Sequence, residues 1–177
     1  MQAPGSRLSG KRIAILVETL YEDLELWYPK IRLEEEGAEV HLIGMEKKVY
    51  TGKRGYPVTP DMMVSRAAGE KWDGIIIPGG YAPDHIRRHP EMIRFVKEQF
   101  EQGAMVATIC HAPWVAISAG IVKGKRMTGF FAVKDDIVNA GAEYLDEPVV
   151  VDGQLISSRH PNDLGYFCRA IIEYLSQ

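Results

Sequence analysis

The chain is poor in cysteine and has no long apolar run. It contains 177 residues and only two cysteines, Cys110 and Cys168, which are too few for a disulfide framework and lack the C-x-x-C spacing of zinc or redox sites. No apolar segment approaches the ~20 residues that a membrane helix needs. Residues 1–10 (MQAPGSRLSG) lack the apolar centre of a signal peptide, so we expect a flexible leader on a cytoplasmic protein.

The chain also lacks an excess of basic residues. Its 21 Lys and Arg residues against 24 Asp and Glu residues give a net charge of -3, and the basic residues are scattered. We therefore expect no nucleic-acid or membrane partner, because no positive patch would attract phosphate backbones or anionic lipids. With 46% hydrophobic and 25% charged residues, the composition is typical of one globular domain, which we place at residues 11–177.

The order of the apolar segments predicts an α/β fold. Short apolar runs predict strands at residues 11–17, 38–43, 72–78 and 104–109 and a hairpin at 149–157. Helical patterns and loops predict helices at 22–37, 83–102, 111–119, 132–139 and 161–175 and a loop or hairpin at 46–59. Alternating strands and helices are typical of a mainly parallel sheet with helices on both faces. In such a sheet the ligand crevice lies at the carboxyl ends of the strands.

Two of the predicted helices have further features that the sequence predicts. In the first helix, the apolar residues are expected to form the buried face; they are Leu24, Trp27, Ile31 and Leu33. In the helix at 83–102, Pro83 suits the first turn. Pro90 should interrupt or kink that helix, because proline lacks the N–H that a helix interior requires.

Three of the predicted strands are followed by residues that could carry chemistry. Glu22 follows the first strand, Gly79 and Gly80 follow the strand at 72–78, and Cys110 with His111 follows the strand at 104–109. A free cysteine has a pKa of about 8.5 and is only about 3% thiolate at pH 7. Free N–H groups at a helix start favour the anion, so Cys110 is a candidate nucleophile. The alternative is a small buried apolar residue, which is the simplest interpretation of Cys168.

The other candidates each have a structural alternative. Glu22 could hydrogen-bond the Cys110 sulfur, or it could only be a first-turn acid on a helix dipole. Gly80 and its neighbour could offer N–H groups to an oxyanion, or they could only form a tight turn. Asp84 could orient His111 as the third member of a Cys-His-acid set, or it could be another first-turn acid.

A metal site is not expected. His85 and His89 have the i, i+4 spacing of helical metal ligands, but Pro90 follows at once and Arg87 and Arg88 lie between them. No cofactor is expected either.

Five ordered blocks together resemble the PfpI family of intracellular peptidases and protein deglycases, within the ThiJ/PfpI and class I glutamine amidotransferase-like superfamily. The resemblance extends from residue 11 to the end of the chain. The blocks are Tyr21–Glu25, Pro78–Asp84, Ile109–Pro113, Lys134–Asp136 with Asn139–Gly141, and Val149–Gly153 with Ser157–Arg159.

The resemblance implies a flavodoxin-like three-layer α/β sandwich with Cys110 as the nucleophile on a strained elbow. It implies that Glu22 lies against the sulfur and that the amides of Gly80 and His111 form an oxyanion hole. It also implies that the acid at position 84 reaches His111 across a subunit interface, in a homo-oligomer. The family usually has glutamate where this chain has Asp84.

Three functions use the same thiolate. Cys110 could add to a reactive aldehyde or an early glycation adduct, as a deglycase or a glyoxalase III-like enzyme does, with Glu22 or His111 moving protons. It could instead hydrolyse peptides through an acyl-enzyme, or act without catalysis as a redox sensor or chaperone-like stress protein. We favour aldehyde or deglycation chemistry, because it requires only a thiolate and a nearby proton carrier.

Overall fold

The computed structural model describes residues 6–177. The strands are β1 (Arg12–Leu16), β2 (Glu39–Gly44), β3 (Tyr50–Thr51), β4 (Pro57–Val58), β5 (Met62–Met63), β6 (Gly74–Ile77), β7 (Met105–Ile109), β8 (Arg126–Met127), β9 (Glu143–Tyr144), β10 (Val149–Asp152) and β11 (Leu155–Ser158). The helices are α1 (Asp23–Glu35), α2 (Val64–Ala67), α3 (Ala82–Ile86), α4 (Pro90–Glu101), α5 (Pro113–Ser118), α6 (Lys134–Asn139) and α7 (Leu164–Leu175). Two 3₁₀ turns precede α6 and α7, at Phe131–Val133 and Pro161–Asp163.

Seven strands form one sheet in the order β10-β11-β7-β6-β1-β2-β5. All neighbours are parallel except β10 and β11, which form the predicted antiparallel hairpin. The helices pack in two groups, since α1 contacts α7 while α4 contacts α2 and α5. The predicted α/β fold with a mainly parallel sheet is therefore confirmed.

The middle of the sheet places three strand ends side by side. Every residue of β6 and β7 is buried, as expected for parallel strands covered on both faces. The register pairs Ile77 of β6 with Thr108 of β7, and Ile15 of β1 with Ile76 of β6. The segments that follow β1, β6 and β7 therefore meet at one edge of the sheet.

The predicted buried face of α1 was wrong in part. The helix buries Leu26, Pro29 and Leu33, whereas Leu24 is 58% exposed and Ile31 is 62% exposed. The spacing of the buried residues follows the 3.6-residue helical period, so they form one stripe toward the core. Leu24 and Ile31 point away from that stripe, whereas Trp27 is partly buried against the core.

Pro90 interrupts the predicted helix at 83–102 as expected. The first part, α3, ends at Ile86, and α4 begins at Pro90 itself after the extended residue His89. Proline fits this position because the first turn of a helix has no use for its missing N–H.

The leader prediction fails for the residues that the structure describes. Residues 1–5 lie outside the described part, but Leu8 is fully buried and its amide donates to the Glu36 carbonyl at 2.9 Å. The segment at 6–10 therefore packs against the end of α1.

The excursion at 46–59 forms a hairpin, as predicted, with Tyr50 opposite Val58. The shortest elements, β5, α2 and the β8–β9 pair, were not predicted, because two to four residues are too few to show a period. Among residues 6–177 no helix is both long enough and apolar enough to span a membrane.

Candidate active site

Cys110 lies in a strained turn directly after β7. Its φ of 61° is in the left-handed region, which among the described non-glycine residues is shared only with Leu20. That conformation costs about 1–3 kcal/mol and persists only where neighbouring structure holds it. Here the Cys110 amide donates to the Ser158 carbonyl at 3.1 Å, and its carbonyl accepts from the Phe130 amide at 2.8 Å. The strained turn projects the sulfur beyond the end of the sheet, as in a nucleophile elbow.

The two glycines after β6 approach this turn closely. A Cβ on Gly79 would lie 2.7 Å from the Cys110 Cβ, and one on Gly80 would lie 2.5 Å from the Leu20 carbonyl oxygen. Gly80 also has a φ of 77°, so glycine is required there for both space and conformation. The amides of Gly80 and His111 both hydrogen-bond the Cys110 sulfur and lower its pKa. The two amides that the resemblance implied for an oxyanion hole thus both face this one sulfur atom.

The carboxyl group that faces the Cys110 sulfur belongs to Glu25. Its side chain is fully buried, its Oε2 accepts a hydrogen bond from the Gly79 amide at 2.7 Å, and the carboxyl contacts the Cys110 thiol. Burial, reinforced by the neighbouring charge of Glu22, raises the pKa of Glu25 to about 8. Glu25 therefore retains a proton at neutral pH.

Glu22, the residue expected at the sulfur, lies on the wall of the same pocket instead. Its Oε2 is 3.3 Å from the Lys53 Nζ, and its amide donates to the Gly79 carbonyl at 3.1 Å. The prediction selected Glu22 at the start of α1, whereas the glutamate that contacts the sulfur lies three residues later. Glu25 lies four residues before Pro29 and so shares the buried face of α1. The four-residue spacing from Pro29 was the feature of the sequence that could have identified Glu25.

The thiol and the Glu25 carboxyl are coupled. Burial, and after it the charge of Glu25, raise the pKa of Cys110 to about 12, whereas the two backbone amides and Lys53 lower it. The helix start expected next to the sulfur lies further along the chain, since α5 begins only at Pro113. When Glu25 holds a proton, its opposing charge is absent and its O–H can donate to the sulfur. The thiolate thus depends on where this pair keeps its shared proton.

His111 is held beside the sulfur by aromatic rings. Its Nδ1 is 3.1 Å from the Cys110 Sγ, and its ring stacks on Phe130 and meets the edge of Trp114 at centroid distances of 5.0 and 5.4 Å. Burial lowers the pKa of His111, so the imidazole is neutral at pH 7 and can exchange a proton with the sulfur. No carboxylate among residues 6–177 hydrogen-bonds His111.

Asp84 lies in the first turn of α3 and does not reach His111 within the chain. Its side chain is 44% exposed and forms an ion pair with Arg88 one turn later. The expectation that it acts across a subunit interface remains a prediction.

One of the two histidines considered as metal ligands has a carboxylate partner. His89 lies 3.3 Å from Glu18 through its Nε2. In the described part of the chain, no group of three or more histidine, cysteine, aspartate or glutamate side chains is arranged to hold a metal ion.

The sulfur opens into a pocket of about 500 Å³. Sequence reasoning missed several of its walls, most of which come from segments far from Cys110 in the chain. These residues are Leu24, Lys53, Arg54, Tyr81, Trp114, His160 and Pro161. Cys168, by contrast, is buried in α7 within the core, as predicted.

Comparisons with known proteins agree with this geometry. Residues 11–174 match the model of the DJ-1/PfpI family. The chain is 42% identical over 164 residues to the Pyrococcus furiosus protein named deglycase PfpI, covering 93% of this chain and 99% of that protein. It is 46% identical over 166 residues to an uncharacterized protein of Archaeoglobus fulgidus, covering 94% of this chain and 99% of that one.

Solved structures show the same likeness. Drosophila melanogaster DJ-1beta superposes with a TM-score of 0.90 at 27% identity, over 96% of this chain and 91% of that one. A two-domain protein from Anabaena variabilis, with DJ-1/ThiJ/PfpI-like and ferritin-like domains, gives a TM-score of 0.90 at 46% identity, over 93% of this chain but only 48% of that one. By its sequence over nearly its whole length and by its fold, the chain belongs to the DJ-1/PfpI family.

Proposed function

We propose that the protein is a cysteine-dependent enzyme that acts on reactive 2-oxoaldehydes and on their early adducts with amines and thiols, in the manner of a deglycase or a glyoxalase. One observation carries this proposal: the Cys110 sulfur lies among two backbone amides, a neutral imidazole and a carboxyl whose pKa is about 8. The name deglycase, given to relatives that are 40–42% identical, supports the same reaction class.

The proposed reaction begins with addition to an aldehyde such as methylglyoxal. The sulfur bonds to the aldehyde carbon and a proton goes to its oxygen, which gives a hemithioacetal. The hydrogen on that carbon then leaves as a proton and arrives at the adjacent ketone carbon, through an enediol. The first carbon becomes a thioester and the second becomes an alcohol. Water hydrolyses the thioester to release lactate and the free thiol.

The electrons balance within the substrate. The aldehyde carbon is oxidised by two electrons and the ketone carbon is reduced by two, so the chemistry requires no external oxidant or reductant. A glycation adduct enters the same route when Cys110 displaces the amine or thiol from the carbon that bears the hydroxyl. The repaired amine or thiol is then the first product and lactate the second.

The residues around the sulfur suit these proton transfers. Glu25 is positioned to carry a proton between the substrate carbons, because its raised pKa lets it exchange one near neutral pH. The amides of Gly80 and His111 would bind the oxygen anion that forms at the first carbon. Glu22, paired with Lys53, would act on the sulfur only through Glu25.

Peptide hydrolysis is the alternative, and it requires more than the isolated chain provides. An acyl-enzyme mechanism needs His111 oriented as a base, and its orienting acid, Asp84, would have to come from a second subunit. A homo-oligomer with the pocket near an interface is therefore part of that proposal.

Activity assays with matched glutamate variants test the proposal. Pure protein would be incubated with methylglyoxal, with a methylglyoxal-treated thiol and with casein, beside Cys110→Ala, Glu25→Gln and Glu22→Gln. We expect aldehyde consumption with release of lactate, lost in Cys110→Ala and Glu25→Gln and largely kept in Glu22→Gln. Digestion of casein alone, or full aldehyde activity in Cys110→Ala, would contradict the proposal.

A further inference from the structure

The β3–β4 hairpin brings two cations to the wall of the Cys110 pocket. Lys53 and Arg54 lie in its turn, and both line the pocket. The Lys53 Nζ is already 3.3 Å from the Glu22 carboxylate. The Arg54 guanidinium, in contrast, has no carboxylate within 4 Å in the part of the chain that the structure describes. One cation of the pair thus remains available to a ligand.

The backbone that carries Arg54 is fixed to α1. The Arg54 amide donates to the Asp23 Oδ2 at 2.8 Å, and the Tyr56 amide donates to the Oδ1 of the same carboxylate at 3.1 Å. Asp23 is itself buried, so both ends of the turn are attached to the first turn of the helix. Arg54 therefore projects its side chain from a rigid base, which reduces the entropy lost when it binds a partner.

The other charged side chains that line the pocket are paired or neutral, which leaves the charge of Arg54 unbalanced. Glu22 is neutralised by Lys53, and burial favours the neutral forms of Glu25 and His111. Aromatic rings form much of the rest of the wall, and such low-dielectric walls strengthen the field of an unbalanced charge. Among the charged side chains that line the pocket, Arg54 is thus the one whose charge no neighbouring side chain balances.

We propose that Arg54 forms an anion subsite at the edge of the pocket, where it binds a carboxylate of the substrate or product. Arg54 is exposed and also lines an adjoining apolar groove with Leu24, Trp27 and Tyr56, which places it at the boundary between the pocket and the surface. A guanidinium matches a carboxylate through two parallel N–H donors. This inference rests on the proposed function for its substrate class, namely 2-oxoaldehyde adducts of carboxylate-bearing thiols and amines, and for its product, a hydroxy acid.

The subsite can be tested without any enzymatic activity. Iodoacetate and iodoacetamide alkylate a thiol by the same reaction and differ in one negative charge. With Cys168→Ala as the background, the ratio of their rate constants at Cys110 measures the preference of the pocket for an anion. We expect Arg54→Gln to lower this ratio about fivefold, which corresponds to one screened charge interaction at the edge of a pocket. Arg54→Lys should keep part of the preference.

Arg94→Gln is the matched control, because Arg94 is an exposed arginine on α4 that does not line the pocket. It makes the same change in net charge and should leave the ratio unaltered. An equal ratio in the Arg54→Gln variant and its parent, or an equal fall in Arg94→Gln, would overturn the subsite.

A second assay ties the subsite to the substrate class. Methylglyoxal adducts of N-acetylcysteine and of N-acetylcysteinamide differ only in a carboxylate. Arg54→Gln should raise KM for the first adduct several-fold and leave both kcat and the KM for the second unchanged. If neither adduct reacts, the proposed function fails while the alkylation ratio still decides the subsite. If both KM values rise together, Arg54 has a structural role and the subsite is refuted.

Discussion

Cys110 and Cys168 differ in their partners more than in their burial. Burial raises the pKa of each thiol to about 12. Cys168 lies in the regular helix α7 within the apolar core. Cys110 lies on a turn with positive φ, where two amides, an imidazole nitrogen and a protonated carboxyl surround its sulfur. Desolvation alone therefore leaves a thiol inert, and hydrogen-bond donors aimed at the sulfur are what would make one reactive.

The largest expected effect separates the two cysteines directly. Cys110→Ala should reduce the aldehyde activity at least about 10³-fold, because no other group can form the covalent adduct. Release of lactate from methylglyoxal measures this loss. Equal activity in the variant and the parent protein would show that the difference between the cysteines has no bearing on catalysis.

The next effect concerns the carboxyl that distinguishes the Cys110 environment. Glu25→Gln keeps a neutral hydrogen-bond donor near the sulfur but cannot exchange a proton, so kcat should fall about 10²-fold or more. Glu22→Gln should cost less than about tenfold, since Glu22 faces Lys53. The kcat of both variants on methylglyoxal gives the comparison, and a larger loss in Glu22→Gln would reverse the assignment of the two glutamates.

The surroundings of His111 predict how the activity depends on pH. Burial lowers the pKa of His111, so the neutral imidazole, and any activity that needs it, should persist to a pH below the ordinary histidine value of about 6.5. Phe130→Ala removes the ring stacked on His111 and admits water, which should move the acid limb of kcat upward toward 6.5. An acid limb that is the same in both proteins would argue against a role for the neutral imidazole.

A smaller effect is expected from Asp84. If it orients His111 of a second subunit, Asp84→Asn should lower activity severalfold. Mixed oligomers of Asp84→Asn with Cys110→Ala should then regain part of it, because one pocket in the mixture has both intact groups. Mixing is measured by activity after the two variants are unfolded and refolded together. Active mixed oligomers without any recovery would place Asp84 outside the site.

The smallest effect belongs to Cys168. Cys168→Ala leaves a small cavity in the core and should cost about 1 kcal/mol of stability, which lowers Tm by about 2–4 °C. Its kcat on methylglyoxal should not change. A loss of activity as large as that of Cys110→Ala would remove the contrast between the two thiols.

The fold and the turn that carries Cys110 could be predicted because their signals are local. The buried isoleucines of β6, the prolines that begin α4 and α5, and the residue order at Cys110 all lie within short segments. The carboxyl that contacts the Cys110 sulfur could not be chosen as readily. Glu22 and Glu25 are three residues apart at the start of α1, and only the rotation of that helix against the sheet decides which one reaches the sulfur.

The pocket walls were beyond prediction for another reason. Lys53 and Arg54 reach the site from a hairpin whose position is fixed by the buried carboxylate of Asp23. Such a long-range hydrogen bond leaves no periodic pattern in the sequence. The contribution of a second subunit is likewise invisible in the pattern of one chain.

The most direct test of the account is the appearance of the Cys110 thiolate with pH. Thiolate absorbance near 240 nm would be followed in Cys168→Ala, with the Cys110→Ala, Cys168→Ala double variant subtracted. The account predicts that adding Glu25→Gln to this background lowers the pH at which the thiolate forms, because the variant removes the carboxylate charge that helps to raise the pKa of Cys110. An equal midpoint with and without Glu25→Gln would show that the carboxyl is not coupled to the sulfur, and would contradict the account.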